Sequence, residues 1–194
     1  MFTDERLDLH TGLAKWWRSA EAVWIKHRSS ERLTLAERLD YRHGLAQQFP
    51  AANHRVVYGA SGMYLAAAVV SDPNAVIEHK LYWGSAASHD EARFLTAILN
   101  SAIVTMAVRP LQARGEHNPR DFDKYIFRLP IPAYDPDDAA HDLLVRLAIQ
   151  AEQVAANVDL PAIRFEAQRR RIREALTKGG VAAEIDAIVK TLLA

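Results

Sequence analysis

Between Phe94 and Val158 the chain changes its pattern three times, and two prolines in the middle limit what it can build there. Phe94 to Ser101 reads FLTAILNS and closes a helix-like stretch. A charged, polar connection follows, QARGEHNPRDFDK, and then FRLPIPAYDPDD. Pro130 and Pro132 carry no N–H, so Tyr125 to Ile131 is excluded from a mid-sheet position with both neighbours bonded. It reads as an extended edge or strap. Asp137 or Asp138 then supplies an N-cap for a helix from Ala139 to about Asn157. Leu144, Leu147, Ala148, Ala151, Val154 and Ala155 form its inward face.

Helical spacing also marks Asp4 to Lys26, where Leu9, Leu13, Trp16, Trp17, Ala20, Val23 and Trp24 share one apolar face. Thr34, with Glu37 three residues later, has the spacing of a capping box and predicts a second helix from Leu35 to Gln47. Phe49-Pro50 ends it. The pattern then turns β-branched and aromatic. Arg55 to Tyr58, Tyr64 to Val70 and Ala75 to Trp83 are predicted strands, separated by the turn sequences GASG and SDPN. Consecutive strands with short turns predict an antiparallel meander. From Asp90 the helical period returns, with Ala92, Leu95, Ile98, Leu99, Ile103 and Met106 on one side. Two helices close the chain, Pro161 to Lys178 and Val181 to Leu193, divided by Gly179-Gly180. No internal repeat is present.

The expected fold is therefore α+β: N-terminal helices, a small antiparallel sheet, a central helix and a C-terminal helical tail. The expected division is an α+β domain over 1–135 and a helical tail over 136–194, packing on that domain or on a partner. At 194 residues and 49% hydrophobic composition, the chain has enough material for a core. It has no cysteine, which excludes disulfides, zinc thiolate sites and cysteine nucleophiles. The start, MFTDE, lacks a basic region followed by an apolar run, and Met63 to Val70 is far too short to span a bilayer. A cytoplasmic protein with no membrane association is expected.

The polar connection holds one set of cations. Arg109, Gln112, Arg114, His117, Asn118, Arg120 and Lys124 fall within sixteen residues, beside Glu116, Asp121 and Asp123. Arg and Lys neutralise phosphates, and Arg, Gln and Asn also read base edges through paired hydrogen bonds. A solvated connection whose acids pair with its own cations has the same composition. Arg169, Arg170, Arg171 and Arg173 form a second cluster, in which Arg169 and Arg173 lie one helical turn apart. Such a cluster can touch a phosphate backbone, or be the wet side of an amphipathic helix. The 24 basic and 24 acidic residues cancel, which argues against a free-standing, tight nucleic-acid binder.

Asp72, Glu78 and Lys80 raise a different possibility. Glu-x-Lys at the end of an apolar strand puts both side chains on one side. With an upstream Asp, that set holds a divalent ion in metal-dependent nucleases. Here Asp72 lies in a turn only six residues upstream, and Glu-x-Lys recurs by chance on polar strand faces. The eight histidines make no His-x-x-x-His pair, so no metal site is expected. His141, in the first turn of its helix, is expected to be structural or exposed. Gly59 to Gly62 lacks the phosphate-loop pattern, and Ser61 lacks the Gly-x-Ser-x-Gly frame. Trp16, Trp17, Trp24 and Trp83 can stack on bases, but in apolar periodic contexts they read as core or interface residues.

From about Trp16 to Leu193 the chain resembles the C-terminal target-recognition region of large N-6 adenine DNA methyltransferases of restriction–modification and phage-defence systems. The segments that carry the resemblance are RVVYGASG, AVIEHKLYW, EARFLTAILNS, the run from Val108 to Glu152, and RRRIREAL. The LNS helix followed by the LPIP strap and a long helix is also similar to the specificity subunits of type I enzymes. Those proteins bind S-adenosylmethionine in a separate domain with a Gly-rich turn and an Asn/Asp-Pro-Pro-Tyr/Phe motif for the flipped adenine. Neither motif occurs here: Asp72-Pro73, Asn118-Pro119 and Asp135-Pro136 are not followed by a second proline. The resemblance therefore implies recognition of double-stranded DNA without catalysis or a cofactor, beside a methyltransferase or restriction subunit. It implies Gln112 or Arg114 for bases and Arg109, Arg120 and Lys124 for phosphates, with His117 in the same loop. A protein-interaction module docking through its helical tail, without DNA binding, is the alternative.

Overall fold

The computed structural model describes residues 4–112, 121–122, 124–161 and 164–194. The chain forms two compact units, Met1–Phe49 and Pro50–Ala194. The C-terminal helices therefore share a unit with the sheet.

In the first unit, the predicted helix from Asp4 is two helices, α1 (Asp4–Asp8) and α2 (Thr11–His27). Leu9 and His10 form the break, and Thr11 and Gly12, both weak helix formers, begin α2. The apolar face read from the sequence is largely exposed, Leu13, Trp16 and Val23 included. Trp24 is half-buried and its indole N–H donates to the Leu33 carbonyl at 3.3 Å. The Thr34–Glu37 capping box forms as read: Glu37 N–H donates to Thr34 Oγ1, and Thr34 N–H donates to Glu37 Oε2. Its helix α3 (Leu35–Leu39) stops early, however. The Asp40 carboxylate accepts from the N–H groups of Leu45 and Ala46 at 2.8 and 3.0 Å. Arg42 and His43 adopt left-handed backbone, φ 56° and 60°. A short side chain bonded to nearby backbone has out-competed the helix ladder.

In the second unit, β1 (Arg55–Gly59) pairs antiparallel with both β2 (Ala67–Val70) and β3 (Leu81–Ser85), in the order β2-β1-β3. This corrects the expected meander, which would have put β2 in the centre. The segment 71–80 carries the chain from one edge to the other. Arg55, fully buried on the central strand, donates to the carbonyls of Asp72 at 2.6 Å and Ala75 at 2.9 Å. Those bonds hold 71–80 as a loop, so the third strand begins at Leu81 rather than Ala75. β2 is also shorter than predicted, because the Leu65 N–H bonds to Thr105 Oγ1 at 3.2 Å instead of entering the ladder.

Alternation places Val56, Tyr58, Ala67, Val69 and Tyr82 on the face that meets the helices. The core behind them is built by α4 (His89–Asn100), α5 (Ala102–Val108), α6 (Ala139–Ala156) and α8 (Val181–Leu192). Phe94, Ile98, Val104, Val108, Leu144, Val181 and Val189 are fully enclosed there. The helix expected to run from Asp90 through Met106 breaks at Ser101 into α4 and α5, bent by 61°. Ser101 has extended backbone, ψ 141°, and caps α5 through Ile103 N–H. Met106 is consequently exposed.

The proline strap begins with a 3₁₀ turn, Tyr125–Arg128, and becomes extended only from Leu129. Tyr134 and His141 pack against Phe94, with ring centroids 5.3 and 4.5 Å away. His141 Nδ1 accepts the Asp135 N–H at 3.0 Å, so its proton sits on Nε2. Of the two candidate caps, Asp138 serves α6, accepting from Ala140 and His141 N–H. Between α6 and α8 lies α7 (Phe165–Lys178), which has no buried residue. It begins beyond Pro161, which therefore stands outside its first turn. Gly180 at φ 80° makes the turn into α8 that a side-chain-bearing residue would resist. Among the described residues, no single helix is long and apolar enough to cross a membrane.

Candidate nucleic-acid interface

Residues 60–64, in the loop joining β1 to β2, gather groups from four parts of the second unit. The Ala60 N–H donates to the Lys80 carbonyl at 3.0 Å, tying the loop to the start of β3. The Ala60 carbonyl accepts from Phe122 N–H at 2.7 Å, and Ser61 forms a bridge with Asp121. Phe122 is buried, and its ring lies 3.8 Å from where a Cβ on Gly62 would stand. Gly62 itself has φ 148°. The far end of the basic connection is thus fastened to this loop by backbone bonds and one buried ring.

The near end is fastened too. Arg109 follows α5 and donates from Nη2 to the Met63 carbonyl at 3.3 Å. From the other side comes Arg173 of α7, whose guanidinium sits 4.5 Å from the centre of the Tyr64 ring. Met63 and Tyr64 remain about half exposed, at 48% and 50%. An exposed thioether residue and an exposed aromatic are therefore each met by a guanidinium group, one from just after α5 and one from α7. Cations resting on aromatic faces recur nearby, with Arg169 over Phe165 and Arg128 over Tyr125. Among the described residues no carboxylate lies at ion-pairing distance from Arg109, Lys124, Arg128, Arg169 or Arg173. Burial, and then the like charge of Arg173, shifts Arg169 below the usual arginine range.

The residues expected to bind DNA separate into three groups. Arg109 and Lys124 are exposed at the two ends of the connection. Gln112 is buried, 8% exposed, so its amide is not presented to a base edge. This corrects its expected role: the 3₁₀ turn Arg109–Leu111 directs the chain inward at that point. Arg114, His117 and Arg120 lie outside the described residues. Tyr64 and Met63 were missed by sequence reading, since nothing in GASGMY announces a partner far along the chain. The i,i+4 spacing of Arg169 and Arg173 was the one available signal for α7.

The Asp72–Glu78–Lys80 set loses its basis, because none of the three lies on a strand. The Asp72 carboxylate accepts from Asn74 N–H, and Glu78 accepts from Lys80 N–H and pairs with His79. No three His, Asp or Glu side chains among the described residues gather as metal ligands. Trp16 and Trp83 are exposed rather than core. No family model, no curated protein and no solved structure matches this chain.

Proposed function

We propose that this chain is a DNA target-recognition module that works beside a methyltransferase or restriction subunit and carries no catalytic centre of its own. The observation that supports this reading most is the convergence on Met63–Tyr64. The ends of the basic connection are held against an exposed loop, with no carboxylate among the described residues paired to Arg109 or Lys124. Guanidinium groups positioned by backbone and ring contacts suit phosphate oxygens, while an exposed polar connection suits a groove. A zero net charge fits a domain that holds duplex in company with a basic partner. In that assembly, S-adenosylmethionine belongs to the partner.

The alternative, docking of the helical tail without DNA, finds less support. The apolar faces of α6 and α8 are already used in the core, and of the three tail helices α7 alone has no buried residue. The test is duplex affinity of the full chain against salt concentration, alone and with the methyltransferase subunit. At roughly one unit per lost phosphate contact, R109A/K124A is expected to reduce the salt slope by about 2 and R114A/R120A by about 1, the latter also relaxing discrimination between duplex sequences. A slope unchanged in both variants, alone and with the partner, overturns the reading.

A further inference from the structure

We propose that Arg169 and Arg173 of α7, the first resting on Phe165 and the second on Tyr64, form a phosphodiester-binding site that extends the interface to the C-terminal helices. The inference rests on the DNA reading for its ligand, and on α7 itself for its geometry.

Four arginines crowd this helix, and the structure treats them in two ways. Arg170 pairs with Glu174 at 3.6 Å, and Arg171 donates to the Asp159 carbonyl at 3.3 Å. Both are exposed and both have a local partner. Arg169 and Arg173 are half-buried, one turn apart, and each rests on an aromatic face instead. Like charges at this spacing repel, and partial burial removes water that would screen them. No carboxylate among the described residues relieves the pair. An anion bound between them would.

The anion's chemistry follows from what stays free. A guanidinium stacked on a ring keeps its N–H edge available, and that planar fork matches two oxygens of a phosphate. Arg109 reaches the carbonyl of Met63, the residue just before Tyr64. Arg109, just after α5, and Arg173 of α7 thus approach two consecutive loop residues, and Arg169 stands one helical turn before Arg173. A chain of phosphates passing Tyr64 would meet each in turn, which favours a polynucleotide backbone over a single small anion.

Two measurements test this. In the first, the salt slope of duplex binding is compared for the parent and R169Q/R173Q, with R170Q/R171Q as control. The expected result is a slope lower by about 2 in R169Q/R173Q, equally for unrelated duplex sequences, with restoration in R169K/R173K. A slope equal to the parent's overturns the site while leaving the DNA reading standing. The second needs no variant: arginines of the full chain are labelled with phenylglyoxal, with and without tripolyphosphate, and mapped by mass spectrometry. Protection of Arg169 and Arg173 but not Arg170 and Arg171 supports the site, even if the chain binds no duplex and the DNA reading fails. Equal labelling with and without tripolyphosphate overturns it.

Discussion

Asn100, the last residue of α4, holds Ala67 of the edge strand β2 by both ends of its amide. Its Oδ1 accepts from Ala67 N–H and its Nδ2 donates to the Ala67 carbonyl, each at 2.9 Å. A side chain thereby completes the strand edge as a neighbouring backbone would. The next residue continues the junction, because Ser101 Oγ donates to Asp186 Oδ1 at 2.7 Å and Ala102 N–H donates to the same oxygen at 2.9 Å. The LNS sequence is the joint between sheet, α5 and α8.

Asn100→Ala removes both bonds to Ala67 and is expected to cost about 1.5 kcal/mol, the net worth of two solvent-accessible hydrogen bonds. Urea unfolding of the full chain gives the value. Hydrogen exchange should quicken at Ala67 and leave the amides of β1 facing β3 unchanged. An unaltered midpoint with unaltered exchange contradicts the clamp.

Arg55, on the central strand β1, holds the segment 71–80 that carries the chain from one sheet edge to the other. Arg55→Met keeps much of the apolar stem and loses both carbonyl bonds to 71–80. Leaving the Asp72 and Ala75 carbonyls without their charged donor is expected to cost about 3 kcal/mol, less whatever desolvation the guanidinium no longer suffers. A midpoint shift in urea with limited proteolysis appearing within 71–80 is the expected result. Destabilisation without cleavage there would place the effect elsewhere in the core.

Asp138 gives a pH dependence whose sign can be worked out. Its bonds from Ala140 N–H and His141 N–H hold its carboxyl below the ordinary value of 3.8. A depressed folded-state value means that the charged cap stabilises fully above 3.8, and that the contribution is lost as pH falls through the lower folded value. Glu37 and Asp40 act the same way in the first unit, through Thr34 and through Ala46 and Leu45. Asp138→Asn keeps an N-cap acceptor that does not titrate. The variant should match the parent near neutrality and lose less stability below about pH 4. Thermal midpoints measured from pH 7 down to pH 2.5 check this; parallel curves would contradict it.

What could be read from the sequence was whatever neighbouring residues decide among themselves. The Thr34–Glu37 box, the cap near Asp138 and the Gly179-Gly180 divider are local, and each appears where the spacing put it. The errors have long-range causes. The chain stops being a strand at 75–80 because Arg55, some twenty residues earlier, captures its carbonyls. The helix breaks at Ser101 because Asp186 is there to receive its hydroxyl. The same holds at the interface, where Arg109 and Lys124 were visible as cations but Tyr64 acquires a role only from Arg173. Neither residue carries that contact in its own neighbourhood.

Gln112 separates the sequence reading from the structural one most sharply. As an exposed residue of a recognition loop it would select bases, and its replacement would change the preferred DNA sequence. As a buried residue whose Nε2 has no partner among the described residues, it belongs to the interior. Gln112→Met conserves its volume and removes a polar group from an enclosed position, so the change in stability should stay within about 1 kcal/mol. Selection from a randomised duplex pool should return the same sequences for Gln112→Met and parent, while R109A should weaken binding across the pool. A new preference in Gln112→Met would return the residue to the reading surface and displace the burial argument.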